Sequence, residues 1–144
     1  MNEALLDVNV LIAAHLTNHT DHLTAKAFFE TLDRFYTTPT TQGGFLRFLT
    51  KPWKNSGGQP QPPRMSISQA METLKQLLAQ PQHAFLPDDV PFAMISLKSL
   101  SGHRQWTDAY LMGLARKHAL KLATLEMKLD NMDDPAAPVI TRIR

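Results

Sequence analysis

Apolar and polar positions follow two rhythms along this chain. Short apolar runs fall at residues 4–8, 35–38, 83–86, 121–124 and 139–140. Runs of this length, bounded by turn formers, predict strands. Between them the period lengthens to that of a helix. Residues 10–16 stay apolar and read as a helix that starts just after Asn9. Thr20 or Asp21 can cap a second helix reaching about Arg34, with Leu23, Ala27, Phe28 and Leu32 at helical spacing. Residues 40–49 predict a third helix, weakened near its start by Gly43 and Gly44 and stopped by Pro52. Ser66 caps a fourth, whose Ile67, Ala70, Met71, Leu74, Leu77 and Leu78 form one apolar face before Pro81 ends it. Residues 92–100 have helical period. Residues 107–118, dense in Ala, Leu and Met, predict a helix buried on most sides.

The rhythm breaks at KPWKNSGGQPQPPR, residues 51–64, which holds four prolines and two adjacent glycines. No regular element is expected to run through it, so it reads as a loop within one domain spanning residues 1–144. Strands alternate with helices elsewhere. That order calls for a three-layer α/β/α sandwich around a mostly parallel sheet of about four or five strands.

Composition narrows the chemistry. Hydrophobic residues make up 43% of the chain and charged residues 19%, a globular balance. The absence of cysteine excludes disulfides, thiolate metal sites and cysteine nucleophiles. The first residues lack a basic stretch before their apolar run, and no apolar run is long enough to span a bilayer, so a cytoplasmic protein with no membrane partner is expected. A net charge of +2 permits contact with phosphates without demanding it.

Three acids stand where an open α/β sheet gathers ligands, beyond the carboxyl ends of its strands. Asp7 ends the first strand, Asp108 opens the helix at 107–118, and Glu126 follows the strand at 121–124. Gln42 lies near the start of the third helix. Phosphodiester hydrolysis needs an activated water and neutralised phosphoryl oxygens, and a hard cation held by a few carboxylates does both. Each acid also has a plainer use: Asp7 as a helix cap, Asp108 as a favourable charge at a helix start, Glu126 as a solvated turn residue. Asp88, Asp89, Asp133 and Asp134 read as turn residues, and His19 and His22 as helix-start residues. Arg47, His103, Arg104 and Gln105 flank the acidic segments, and Arg104 is a candidate for contact with a phosphate backbone. Of the two tryptophans, Trp53 is the better candidate for stacking on a base, and Trp106 is expected to pack.

Four segments carry a resemblance. LLDVNVLIAAH (residues 5–15), TTPTTQGGFLRFL (37–49), GHRQWTDAYLMGLARKH (102–118) and KLATLEMKL (121–129) resemble, in order, the blocks of PIN domains of the VapC toxin type. The resemblance implies a PIN-like fold that binds one or two Mg²⁺ or Mn²⁺ ions and cuts RNA through a metal-activated water. By motif, Asp7, Asp108 and Glu126 would be the metal ligands, Glu126 standing where the family often has Asp. Gln42 would belong to the catalytic set, where many relatives carry Glu; an amide oxygen can coordinate a cation but brings no charge. Asn9 and Thr124 match polar positions that orient ligands or water. The resemblance further implies an RNA substrate, a cognate antitoxin and a homodimer. The alternative is a degenerate PIN domain that holds RNA or protein without cleavage. The Asp-x-Asn-x-Val run at Asp7 is also faintly similar to haloacid-dehalogenase phosphatases, but that family wants a second Asp where Asn9 stands, and no matching lysine block follows.

Overall fold

A computed structural model describes residues 1–98 and 100–143. Its centre is a five-stranded, wholly parallel sheet in the order β5-β2-β1-β6-β7. The strands are β1 (Glu3–Leu6), β2 (Arg34–Thr37), β5 (His83–Phe85), β6 (Leu122–Thr124) and β7 (Ile140–Arg142). The helices are α1 (Val8–His15), α2 (His22–Glu30), α3 (Pro39–Thr50), α4 (Ile67–Leu78) and α5 (Trp106–Lys117).

The chain starts mid-sheet, walks outward through β2 to β5, then returns to build β6 and β7 on the other side of β1. Parallel crossovers are right-handed, so reversing the direction of travel reverses the face that the connection covers. The packing obeys this. Ala4, Leu6, Phe35 and Ala123 meet α1, α2, α3 and α4 on one face. Their neighbours Leu5, Tyr36 and Leu122 meet α5 and the 3₁₀ segment Met127–Met132 on the other. Alternate strand residues thus feed two cores, the layering expected from the sequence. The reversal falls between β1 and β6, so a crevice opens beyond their carboxyl ends.

Helix ends follow local chemistry. Thr38 and Ser66 form reciprocal capping boxes with Thr41 and Gln69 at the starts of α3 and α4. α3 begins at Pro39 and runs through both glycines, and Gly44 has a packing reason to be there. A Cβ on it would lie 2.6 Å from Val8 Cγ2, so only glycine lets α3 approach α1 this closely.

Several expectations are corrected. α2 ends at Glu30 and turns Ala25, Phe28 and Phe29 inward, leaving Leu23 81% exposed and Ala27 exposed. α4 buries Ala70, Leu74 and Leu77, while Ile67 is 77% exposed and Met71 is also exposed. The predicted helix at 92–100 is a 3₁₀ turn, Phe92–Met94, between the extended residues Pro91 and Ile95 and with no side-chain cap at its start; Ser99, within that span, lies outside the described residues. The proline-glycine loop does contain an element, the hairpin β3 (Trp53–Lys54) and β4 (Pro60–Gln61). Asn55 Oδ1 accepts from the backbone of Gly57 and Gln59, and Gly58 takes the positive φ (76°) that closes the turn. Trp106 does not pack away; it stays 44% exposed with Phe92 edge-on to it.

Candidate active site

Asp7 is the junction between β1 and α1. Its backbone is extended and its Oδ1 accepts from the Val8 N–H at 2.7 Å, so it caps α1. It is also buried, at 6% exposure. Its second oxygen accepts the Thr124 hydroxyl at 2.8 Å. Thr124, the last residue of β6, is fully buried. Its oxygen in turn accepts from the Glu126 N–H at 3.0 Å and from Asn9 Nδ2 at 3.4 Å. Asn9 Oδ1 accepts the Leu125 N–H at 3.2 Å. One hydroxyl and one amide thereby pin the end of β6 to the end of β1.

The three acids share one electrostatic field. Burial is the main force raising the Asp7 carboxyl above its ordinary range; the bonds from Thr124 and Val8 oppose it, and the charge of Glu126 adds to it. Asp108, in the first turn of α5, is pushed up to about 7, first by burial and then by the charges of Asp7 and Glu126. Its carboxyl has neither hydrogen bond nor ion pair to the described residues. Glu126 is exposed, and its Oε1 accepts the Lys128 N–H at 3.0 Å. Among the described residues no three Asp, Glu or His side chains already close on one point as a metal cage.

Asp108 and Glu126 line a cleft of about 450 Å³ with Ser101, Arg104 and Lys128 on its wall. Gln105 Oε1 accepts the N–H groups of Ser101 and Gly102, which fixes the loop on that wall. Gln42 belongs to a different network. Its Nε2 donates to Thr37 Oγ1 at 3.0 Å, and that oxygen lies 2.7 Å from His83 Nε2.

The model of the PIN domain family matches residues 4–135. The chain belongs to the PIN-domain family. This PIN domain is 37% identical over 137 residues to ribonuclease VapC29 of Mycobacterium tuberculosis, covering 94% of this chain and 95% of that protein. It is 36% identical over 126 residues to ribonuclease VapC38 of the same organism, covering 85% and 84%. Among solved structures, VapBC2 from Rickettsia felis, bound to a DNA fragment from its promoter, superposes with a TM-score of 0.66 at 12% identity over 99% of each chain. FitAcB from Neisseria gonorrhoeae superposes at 0.59 with 19% identity, over 98% of this chain and 96% of that one. These likenesses show a shared fold.

Within this PIN domain, Asp7, Asp108 and Glu126 lie within electrostatic reach of one another near the reversal of the sheet; Asn9 and Thr124 brace Asp7 and the approach to Glu126, and Arg104 stands with Asp108 and Glu126 on the cleft wall. Lys128 was missed by sequence reasoning. A lysine in a turn carries no signal of its own, and only the 3₁₀ segment after Glu126 brings it to the cleft.

Proposed function

We propose that this chain is a metal-dependent endoribonuclease that hydrolyses RNA phosphodiester bonds, and that it is the toxin of a toxin–antitoxin pair. The activity is supported by the relatives named ribonucleases, which align along nearly the whole chain. One observation carries the site. Asp108 is a half-buried carboxyl with no donor or cation to satisfy it, pushed up to about 7 beside two other acids.

That donor set fits a hard divalent ion. Mg²⁺ prefers carboxylate oxygens, keeps several waters, and so needs no closed protein cage. A cation held by Asp7, Asp108 and Glu126 would relieve their repulsion; when bound it supplies an activated water and neutralises charge on the phosphoryl oxygens. The chain's own residues do the rest. Thr124 fixes the orientation of the Asp7 carboxylate. Asn9 holds the Leu125 backbone, and with it the approach of Glu126. Arg104 and Lys128 meet the phosphates entering the cleft, as a guanidinium and an ammonium do well. Gln42, tied through its amide to Thr37, stands outside this set.

The likeness to the VapBC2 and FitAcB structures, together with the VapC relatives, supports a cognate antitoxin for this chain; a homodimer and a cytoplasmic location are part of the same proposal. No helix among the described residues is long and apolar enough to cross a membrane. Incubation of the purified protein with total RNA tests the proposal. Cleavage in Mg²⁺ or Mn²⁺ that EDTA stops is expected; cleavage that persists in EDTA would overturn the metal, and intact RNA under all conditions would favour the non-cleaving alternative.

A further inference from the structure

Charge is not spread evenly along this chain. Five of its fifteen Lys and Arg, and none of its thirteen Asp and Glu, lie between Arg34 and Met71. The remainder carries ten cations against thirteen acids, so the positive balance resides in β2, α3 and the β3–β4 hairpin. Four of the five, Arg47, Lys51, Lys54 and Arg64, sit on α3 and the hairpin segment, and none of the four makes an ion pair with the described residues.

Packing gathers two of them. The Arg64 guanidinium lies 4.3 Å from the Phe48 ring centre and 4.4 Å from that of Trp53, held between the two. Lys51 Nζ lies 5.4 Å from the same Phe48 ring. Aromatic faces hold a cation in place without neutralising it. Here they replace a carboxylate: Arg64 Nη1 is buried and finds no acceptor. Lys54, on β3 next to Trp53, and Lys51 are exposed. A favourable helix dipole accounts for Arg47 and Lys51 near the end of α3, but not for Lys54 or Arg64 beyond it. The hairpin is also held in shape, by the Asn55 turn and by the backbone bond from Met65 to Leu49.

From this we propose that the hairpin and the end of α3 form a phosphate-binding arm for the single-stranded RNA flanking the cut. The inference rests on the ribonuclease reading of the acidic site. Its reach is consistent. Gly44 of α3 packs on Val8, the neighbour of Asp7, and Lys51 lies seven residues farther on, about 10 Å along a helix axis. At roughly 3.4 Å per stacked nucleotide, that rise from Gly44 spans about three nucleotides. The arm therefore grips the backbone beside the scissile phosphate. Its charges carry no base information, so it adds affinity without sequence preference.

The test is binding of a labelled uridine dodecamer to the whole protein in EDTA, across a salt series, for the wild type, Lys51→Gln/Lys54→Gln and Arg64→Lys. Both lysines are exposed, so the double variant keeps its fold, which its melting curve checks. It should bind roughly tenfold more weakly. Its slope of log affinity against log salt should shrink by about 1.4, near 0.7 for each single-strand phosphate that the two lysines no longer neutralise. Arg64→Lys keeps the charge but weakens the stack, and should bind more weakly with its slope retained. A double variant with wild-type affinity and slope overturns the arm, as does a wild type that does not bind the dodecamer. Loss of antitoxin binding with RNA affinity unchanged also overturns it, in favour of a protein-binding surface. The ribonuclease reading fails separately. A wild type that binds with the full slope yet never cuts RNA refutes that reading and leaves the arm standing.

Discussion

Thr124 donates its hydroxyl to Asp7 Oδ2 at 2.8 Å, joining residues 117 positions apart in the chain. The bond spans the point where the sheet reverses direction. It ties the loop that leads to Glu126 to the carboxylate that caps α1. Orientation of the acidic site therefore depends on a neutral side chain that no inspection of charges would select.

Removing that hydroxyl should cost activity before it costs the fold. Thr124→Val keeps the shape but leaves a buried carboxylate oxygen and the Glu126 N–H without their partner. RNA cleavage should fall by about 10- to 100-fold, the usual effect of losing a group that orients a metal ligand, with a stability loss of about 1–3 kcal/mol. Thr124→Ser should recover most of both. Single-turnover cleavage and denaturant melts measure the pair, and a Val variant with wild-type cleavage would remove Thr124 from the site.

The acids make the metal-free protein sensitive to alkali. Asp108 titrates near 7 when folded and near its ordinary 3.8 when unfolded. Between these values the native state holds more protons, so stability must fall as pH rises from about 4 to about 7, then level off. Asp7, also raised, acts in the same direction. Asp108 is partly open to solvent, which screens the effect and keeps its amplitude below the full linkage value. In EDTA, Asp108→Asn should melt at the wild-type temperature near pH 3 and a few degrees higher near pH 8. Millimolar Mg²⁺ should narrow the gap at the alkaline end by stabilising the wild type more than the variant. Equal melting temperatures at about pH 8 in EDTA would mean that neither burial nor the neighbouring charges of Asp7 and Glu126 raise the Asp108 carboxyl.

Gly44 and Gly113 separate a rigid neighbour from a yielding one. A Cβ at either meets a side chain at 2.6 Å: Val8 Cγ2 for Gly44, Ile95 Cδ1 for Gly113. Val8 is β-branched, stiff and next to Asp7, whereas Ile95 offers only its chain end, beside a 3₁₀ turn. Gly44→Ala should cost about 1–3 kcal/mol, as overpacking does, and should lower cleavage by shifting Asp7. Gly113→Ala should cost less and leave cleavage near normal. Urea melts and cleavage rates of the two variants check the order, and equal costs would mean that α1 gives way as easily as Ile95 does.

The sequence made some of this legible for physical reasons. Runs such as residues 4–8 and 121–124 are too short and too apolar for helices, and strands alternating with helices admit few layouts other than a covered parallel sheet. Caps were legible where their chemistry is local, as at Ser66. The phase of α2 was not, because Leu23 fits the helical period as well as Ala25 does and only the position of the sheet decides between them. Residues 92–100 have helical period, yet Pro91 and Ile95 are extended and no side chain caps the start. Strands as short as β3 and β4, one of them containing a proline, leave no periodicity to read. In the site, the acids at the strand ends were suggestive but individually ordinary, and the ordered resemblance carried their selection. Gln42 was grouped with them by motif, whereas its observed bond is to Thr37. The contacts of Thr124 with Asp7 and Asn9 close only once β1 and β6 lie side by side.

The most direct test is titration calorimetry of Mn²⁺ into the protein near pH 7, in buffers of differing ionisation enthalpy, for the wild type and Asp108→Asn. The wild type should bind at least one ion and release a fraction of a proton as it does so, because a carboxyl titrating at about 7 must ionise fully to hold the metal; the variant should bind more weakly and release fewer protons. A wild type that takes up no Mn²⁺, or takes it up with the same affinity and proton count as the variant, would contradict the account.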